Sequence, residues 1–106
     1  MIPIGITVKM SKRILFRIPS TWRSKIKIEQ GNIAKIWIQN NSVIIKACDQ
    51  YTTEITSTIG REGQIYIPTE VRDHFNLKGI KHFKVFIDEV NRNIILKPLE
   101  ERLYEE

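Results

Sequence analysis

Cysteine is almost missing: Cys48 is the only one in 106 residues, so no disulfide can form within the chain and the spaced cysteines of a zinc site are lacking. His74 and His82 are the only histidines, and neither stands in a serine, cysteine and carboxylate pattern of a catalytic set. No catalytic residue, metal ligand or cofactor is therefore expected, and the chain does not read as an enzyme. Alanine holds two positions and leucine five, against twenty isoleucines, a bias toward β-branched residues that favours sheet over a helix bundle. No apolar run approaches the roughly 18 residues of a membrane span. Met1-Ile-Pro-Ile-Gly-Ile6 also lacks the basic start of a secretory signal, so a cytoplasmic location without a membrane partner is expected.

Acid is scarce in one half only. Residues 1 to 50 hold nine Lys or Arg against two acids, a net of +7, while residues 51 to 106 hold eight against ten, a net of −2. Six of the cations, Lys12, Arg13, Arg17, Arg23, Lys25 and Lys27, fall in sixteen consecutive positions. A charge run is commonly just a solvated face, but asymmetry of this size also suits a polyanionic partner.

The central stretch is Gly63 to Leu77. Ile65 and Ile67 alternate with Gln64 and Tyr66, the period of a half-buried strand, and Pro68 stops the strand while its fixed φ suits a first helical turn. Thr69 is a second candidate for the cap. Val71 and Phe75, four apart, share the buried side of a helix of about two turns, with Arg72 nearer solvent and Leu77 returning to the core.

This pattern occurs twice. A shift of forty-nine residues lays Ile18-Pro19 on Ile67-Pro68, Arg23 on Arg72, Ile26 on Phe75 and Ile28 on Leu77. Ala34, Ile36 and Ile38 then fall on Phe83, Val85 and Ile87, and after a turn longer by two residues Val43 to Lys46 matches Ile94 to Lys97. Units of this length cannot bury their apolar faces alone and should share one core. One compact domain over 1–106 is expected, with repeat one at 4–47, repeat two at 53–99 and a fraying acidic tail at 100–106.

In order, strands are expected at Ile4 to Met10, Ile14 to Ile18, Ile33 to Ile38 and Val43 to Ala47, with a short helix from Ser20 to Ile26 whose buried side is Trp22 and Ile26. Asn40-Asn41 marks a tight hairpin. In the second half, strands are expected at Thr53 to Ile59, Gln64 to Ile67, Phe83 to Asp88 and Ile94 to Leu99. Gly60 to Gly63 and Val90 to Asn93 are the turns.

A strand, a glycine turn, a strand ending in Ile-Pro, a short helix with arginine four after the proline, then a β-hairpin: this sequence of features resembles the SpoVT/AbrB swapped-hairpin family, over nearly the whole chain as two copies. The family pattern, roughly GRVVIPxxxR, is met by Gly63-Gln-Ile-Tyr-Ile-Pro68 and Arg72, with Gln64 in place of arginine. The first copy has Ile14 and Leu15 for the glycine and arginine but keeps Ile18-Pro19 and Arg23. The resemblance implies a fold that is mostly β with short helices, a swapped-hairpin AbrB-type β-barrel built from two tandem ββαββ repeats. Pairing of the repeats within one chain is expected to complete it, with a further homodimer left open.

The same resemblance implies a cytoplasmic, nucleoid-associated transcriptional regulator that binds double-stranded DNA, with Lys9, Arg23 and Arg72 facing the nucleic acid. Lys12, Arg13, Arg17 and Lys25 in the first copy and Arg61 in the second add to the expected DNA-binding set, the turn cations taking over from the missing pattern arginine. Phosphate contacts by such residues would dominate affinity. The alternative is an antitoxin or other protein-interaction module, and the short tail makes a toxin partner the lesser expectation, since wrapping a partner takes a long extension.

Overall fold

The computed structural model describes residues 1–48 and 55–99, so the junction at 49–54 and the expected acidic tail at 100–106 lie outside the described residues. The expected strand start at Thr53 falls in that junction. Eight strands dominate, joined by two short helices: β1 Ile2–Lys9, β2 Ile14–Arg17, α1 Ser20–Arg23, β3 Ile33–Gln39, β4 Ser42–Cys48, β5 Thr56–Thr58, β6 Gln64–Ile67, α2 Thr69–Asn76, β7 His82–Asp88 and β8 Asn93–Leu99. The fold is mostly β with few, short helices, as the isoleucine bias requires.

The strands form an open six-stranded antiparallel sheet in the order β1-β7-β8-β4-β3-β5 and a separate two-stranded ribbon, β2-β6. The first strand of each repeat pairs with the third strand of the other: β1 lies on β7 and β5 on β3. The register repeats as well. Val8 opposes Phe83, and Ser57 opposes Ala34, which is the same pair shifted by forty-nine residues in opposite directions. Phe16 opposes Ile65 at the middle of the ribbon, and Ile44 opposes Ile95 where the two hairpins meet. Both are pairs of equivalent positions, so an approximate two-fold axis runs through them.

Alternation decides which residues go inside. Across the four central strands the row Ile36, Ile45, Ile94, Ile87 faces inward and is at most 1% exposed. Beneath it pack Ile14, Phe16, Ile65 and Ile67 from the ribbon, Ile26 and Ile28, and Val71 and Phe75 from α2, in one cluster drawn from both halves. Phe75 meets Phe83 edge to face at 5.3 Å between centroids. Burial of each such isoleucine or phenylalanine contributes about 1.5–3 kcal/mol, which neither repeat could collect alone.

The turns follow local chemistry. Asn40 and Asn41 take φ of 51° and 61°, the paired left-handed residues of a two-residue hairpin, between Gln39 and its partner Ser42. In the second hairpin the Asp88 carboxylate accepts hydrogen bonds from the Asn91 side chain and backbone N–H, and these hold its pKa below the ordinary value.

Two expectations change at the helices. The helix expected over Ser20 to Ile26 ends at Arg23, because Lys27 adopts a left-handed φ of 65° and lets Ile28 N–H donate back to the Arg23 carbonyl. In the second repeat the equivalent stop comes three residues later, where Gly79 is left-handed and Ile80 N–H donates to the Phe75 carbonyl. Ile80 therefore takes the place of Ile28 in the core. Leu77, expected to resume the core, is carried onto the outside of the longer helix and is 88% exposed. Thr69 makes no side-chain cap, and Pro68 is the residue at the N-cap of α2.

Candidate nucleic-acid interface

The ribbon presents first-repeat cations beside a second-repeat turn. Its strands alternate, so Ile14, Phe16, Ile65 and Ile67 go inward, while Leu15 and Arg17 stand exposed and Gln64 and Tyr66 lie beside them, half covered. At one end of β2 the Ser11–Arg13 turn carries Lys12 and Arg13, both exposed. At the other end of the ribbon is the equivalent turn, a 3-10 turn at Arg61–Gly63, with Arg61 and Glu62 exposed.

The arginine of each helix reaches the other repeat's turn, Arg23 by packing on Gly63 and Arg72 by a hydrogen bond to Ser11. Arg23, four residues after Pro19, donates from Nε to the Ile18 carbonyl at 2.9 Å and lies across Gly63. A Cβ on Gly63 would sit 2.7 Å from Arg23 Cδ, and its φ of 72° is in the left-handed region. Glycine is therefore required there on two grounds, packing and backbone. Arg72 donates from Nη1 to the Ser11 carbonyl at 3.3 Å and from Nη2 to Asp73 Oδ1 at 2.6 Å, and its Nε is buried without a partner. In the first repeat the glycine position is Ile14, whose side chain turns into the core at 1% exposure, and Arg72 reaches the turn three residues earlier, at Ser11.

The eight cations expected as DNA contacts thus divide. Lys12, Arg13, Arg17 and Arg61 project from the ribbon and its turns. Arg23 and Arg72 are half-buried and spend their hydrogen bonds on the protein. Lys9 lies at the end of β1, opposite His82 in the six-stranded sheet rather than on the ribbon. Lys25 follows α1, with its ammonium 4.9 Å over the Trp22 ring and 3.8 Å from Glu89 of the β7–β8 turn.

Charge across the two-fold is uneven. Arg13, Arg17 and Lys25 of the first repeat correspond to Glu62, Tyr66 and His74 of the second, and Thr21 and Ser24 to Glu70 and Asp73. Arg17 reaches over to Glu62 at 3.4 Å, with both side chains more than half exposed. An ion pair so exposed is weak and opens readily for a competing anion.

Glu62, Gln64 and Tyr66 were not among the residues expected to contact DNA. Their signal was present in the alternation of β6, which already placed Gln64 and Tyr66 on the outward side. No helix among the described residues is long and apolar enough to cross a membrane, and no group of three His, Cys, Asp or Glu among them could hold a metal ion. Comparison with protein-family models, with curated proteins and with solved structures returned no match.

Proposed function

We propose that this chain is a DNA-binding transcriptional regulator of the SpoVT/AbrB-like type, with the swapped-hairpin arrangement completed inside one chain. Support for the arrangement lies in the exchange of β1 and β5 between the repeats and in the matching registers about the two-fold. The observation that carries the functional reading is the ribbon. Two antiparallel strands about 4.8 Å apart make a narrow β-ribbon, an element that a DNA major groove about 12 Å wide admits.

On this reading Lys12, Arg13, Arg17 and Arg61 contact phosphates, and the outward face of Leu15, Arg17, Gln64 and Tyr66 meets base edges. Arg23 and Arg72 act as positioning residues: they fix the two turns so that the cations need not be ordered on binding. Lys9 and Lys25 lie farther along and add long-range attraction.

Fluorescence anisotropy of labelled duplexes at several salt concentrations tests this. Four to six phosphate contacts predict a slope of log affinity against log salt of about −3 to −6. Absence of duplex binding at low salt would overturn the proposal.

A further inference from the structure

The outward face of the six-stranded sheet carries a second, differently built surface. Directly paired residues place Trp37, Ile44, Ile95 and Phe86 in one row across β3, β4, β8 and β7. At about 4.8 Å between neighbouring strands, the two aromatic rings stand roughly 14 Å apart on either side of the two-fold. Lysines flank the row symmetrically: Lys35 opposes Lys46 on one side, and Lys84 opposes Lys97 on the other. Like charges directly opposite one another weaken a ladder, and an anion lying between them reverses that effect.

Three of the ammonium groups lie over the rings, Lys35 at 5.0 Å from Trp37 and Lys84 and Lys97 at 5.7 and 5.2 Å from Phe86, while Lys46 donates to the Asn91 carbonyl at 2.9 Å. Asp88 is the one carboxylate on these rows among the described residues, and Asn91 already engages it. A cleft of about 340 Å³ opens at the row beside Ile44, Asn93, Ile95 and Lys97, with Asp88 and Asn91 also on its wall. Within it Asn93 Oδ1 is buried and accepts no hydrogen bond, an acceptor that a donor on a ligand would satisfy.

We infer that this face binds single-stranded nucleic acid, with bases stacked on Trp37 and Phe86, phosphates on the four lysines, and an amino or imino donor of a base on Asn93. Aromatic platforms between lysines suit unpaired bases, whose ring faces are free, and not a duplex, whose bases are stacked on one another. A stacked base gains more than the exposed ammonium–ring contact it displaces. A second copy of the chain is disfavoured on the same face, because it would set eight lysines against each other. The inference does not depend on the ribbon binding duplex DNA.

Titration of the whole chain with oligothymidylate, read by tryptophan emission and by anisotropy of a labelled oligomer, tests it. The emission should be quenched, and Trp37→Phe should remove the quenching with affinity largely kept. Lys84→Glu with Lys97→Glu should weaken oligothymidylate binding by about tenfold or more, while duplex binding is unchanged. Quenching of the unmodified chain keeps the test informative if the double variant fails to fold. Absence of quenching, or equal affinity for polyglutamate at the same salt, would overturn the inference in favour of an acidic protein partner or none. Competition of the oligomer by duplex DNA at equal strength would also overturn it, since one surface would then serve both.

Discussion

Gly63→Ala is the substitution whose cost follows most directly from geometry. The left-handed backbone at φ 72° costs an L-residue about 1–2 kcal/mol. The new methyl would also stand 2.7 Å from Arg23 Cδ and 3.1 Å from its Nε, so the arginine must move. Moving it breaks the hydrogen bond to the Ile18 carbonyl, a part-buried bond contributing about 0.5–1.5 kcal/mol. Together these predict a loss of about 1.5–3.5 kcal/mol in urea denaturation followed by circular dichroism, with the slope of the transition unchanged. The two parts separate in a double-mutant cycle. In an Arg23→Ala background, Gly63→Ala should cost only the backbone part, leaving a coupling of about 0.5–1.5 kcal/mol. A strictly additive cycle would refute the claim that Arg23 braces this turn, and a total loss below about 0.5 kcal/mol would refute the backbone argument as well.

Leu77→Ser should change stability by no more than about 0.5 kcal/mol, because the side chain is 88% exposed, whereas Ile80→Ala should cost about 2–5 kcal/mol; thermal denaturation distinguishes the two. Asp88 makes a pH prediction. Its pKa is lowered in the folded chain by Asn91, so the stabilisation is present above the ordinary value of 3.8 and is lost as pH falls through the lowered one. Urea midpoints of the natural chain and of Asn91→Ala should accordingly differ at neutral pH and converge in acid.

Much of the fold was legible because strand alternation is a local property. The inward isoleucines of β3, β4, β7 and β8 and the Asn40-Asn41 hairpin follow from period and turn chemistry alone. The repeat also set the pairing partners within reach, since two units too small to fold alone must share their strands. What misled was treating the repeat as uniform. A left-handed stop that comes three residues later, at Gly79, is compensated by a shorter link into β7, so Leu77 and Ile28 align in sequence but not in space.

The candidate site was legible in part for a related reason. Position in the pattern marked Arg23 and Arg72, but a pattern does not say where a guanidinium points. Gly63 on one side and the Ser11 carbonyl on the other draw the two arginines inward, onto turns contributed by the opposite repeat. That contact joins residues about forty and sixty positions apart and leaves no local trace. The exposed cations Lys12, Arg13, Arg17 and Arg61 needed only the alternation and the turns. The sheet's outward face was legible as matching aromatics and lysines in the two repeats, but their assembly into one surface required the register between the hairpins.

The central claim is that the first-repeat cations along the ribbon and its turn hold DNA phosphates. Its most direct test is the salt dependence of duplex binding by the natural chain and by Lys12→Ala/Arg13→Ala/Arg17→Ala, three exposed cations whose removal should leave the denaturation midpoint nearly unchanged. Each lost phosphate contact removes about 0.9 from the slope, so the account predicts a slope shallower by about 2–3 and weaker binding at every salt concentration. An unchanged slope and affinity in the folded variant would contradict it.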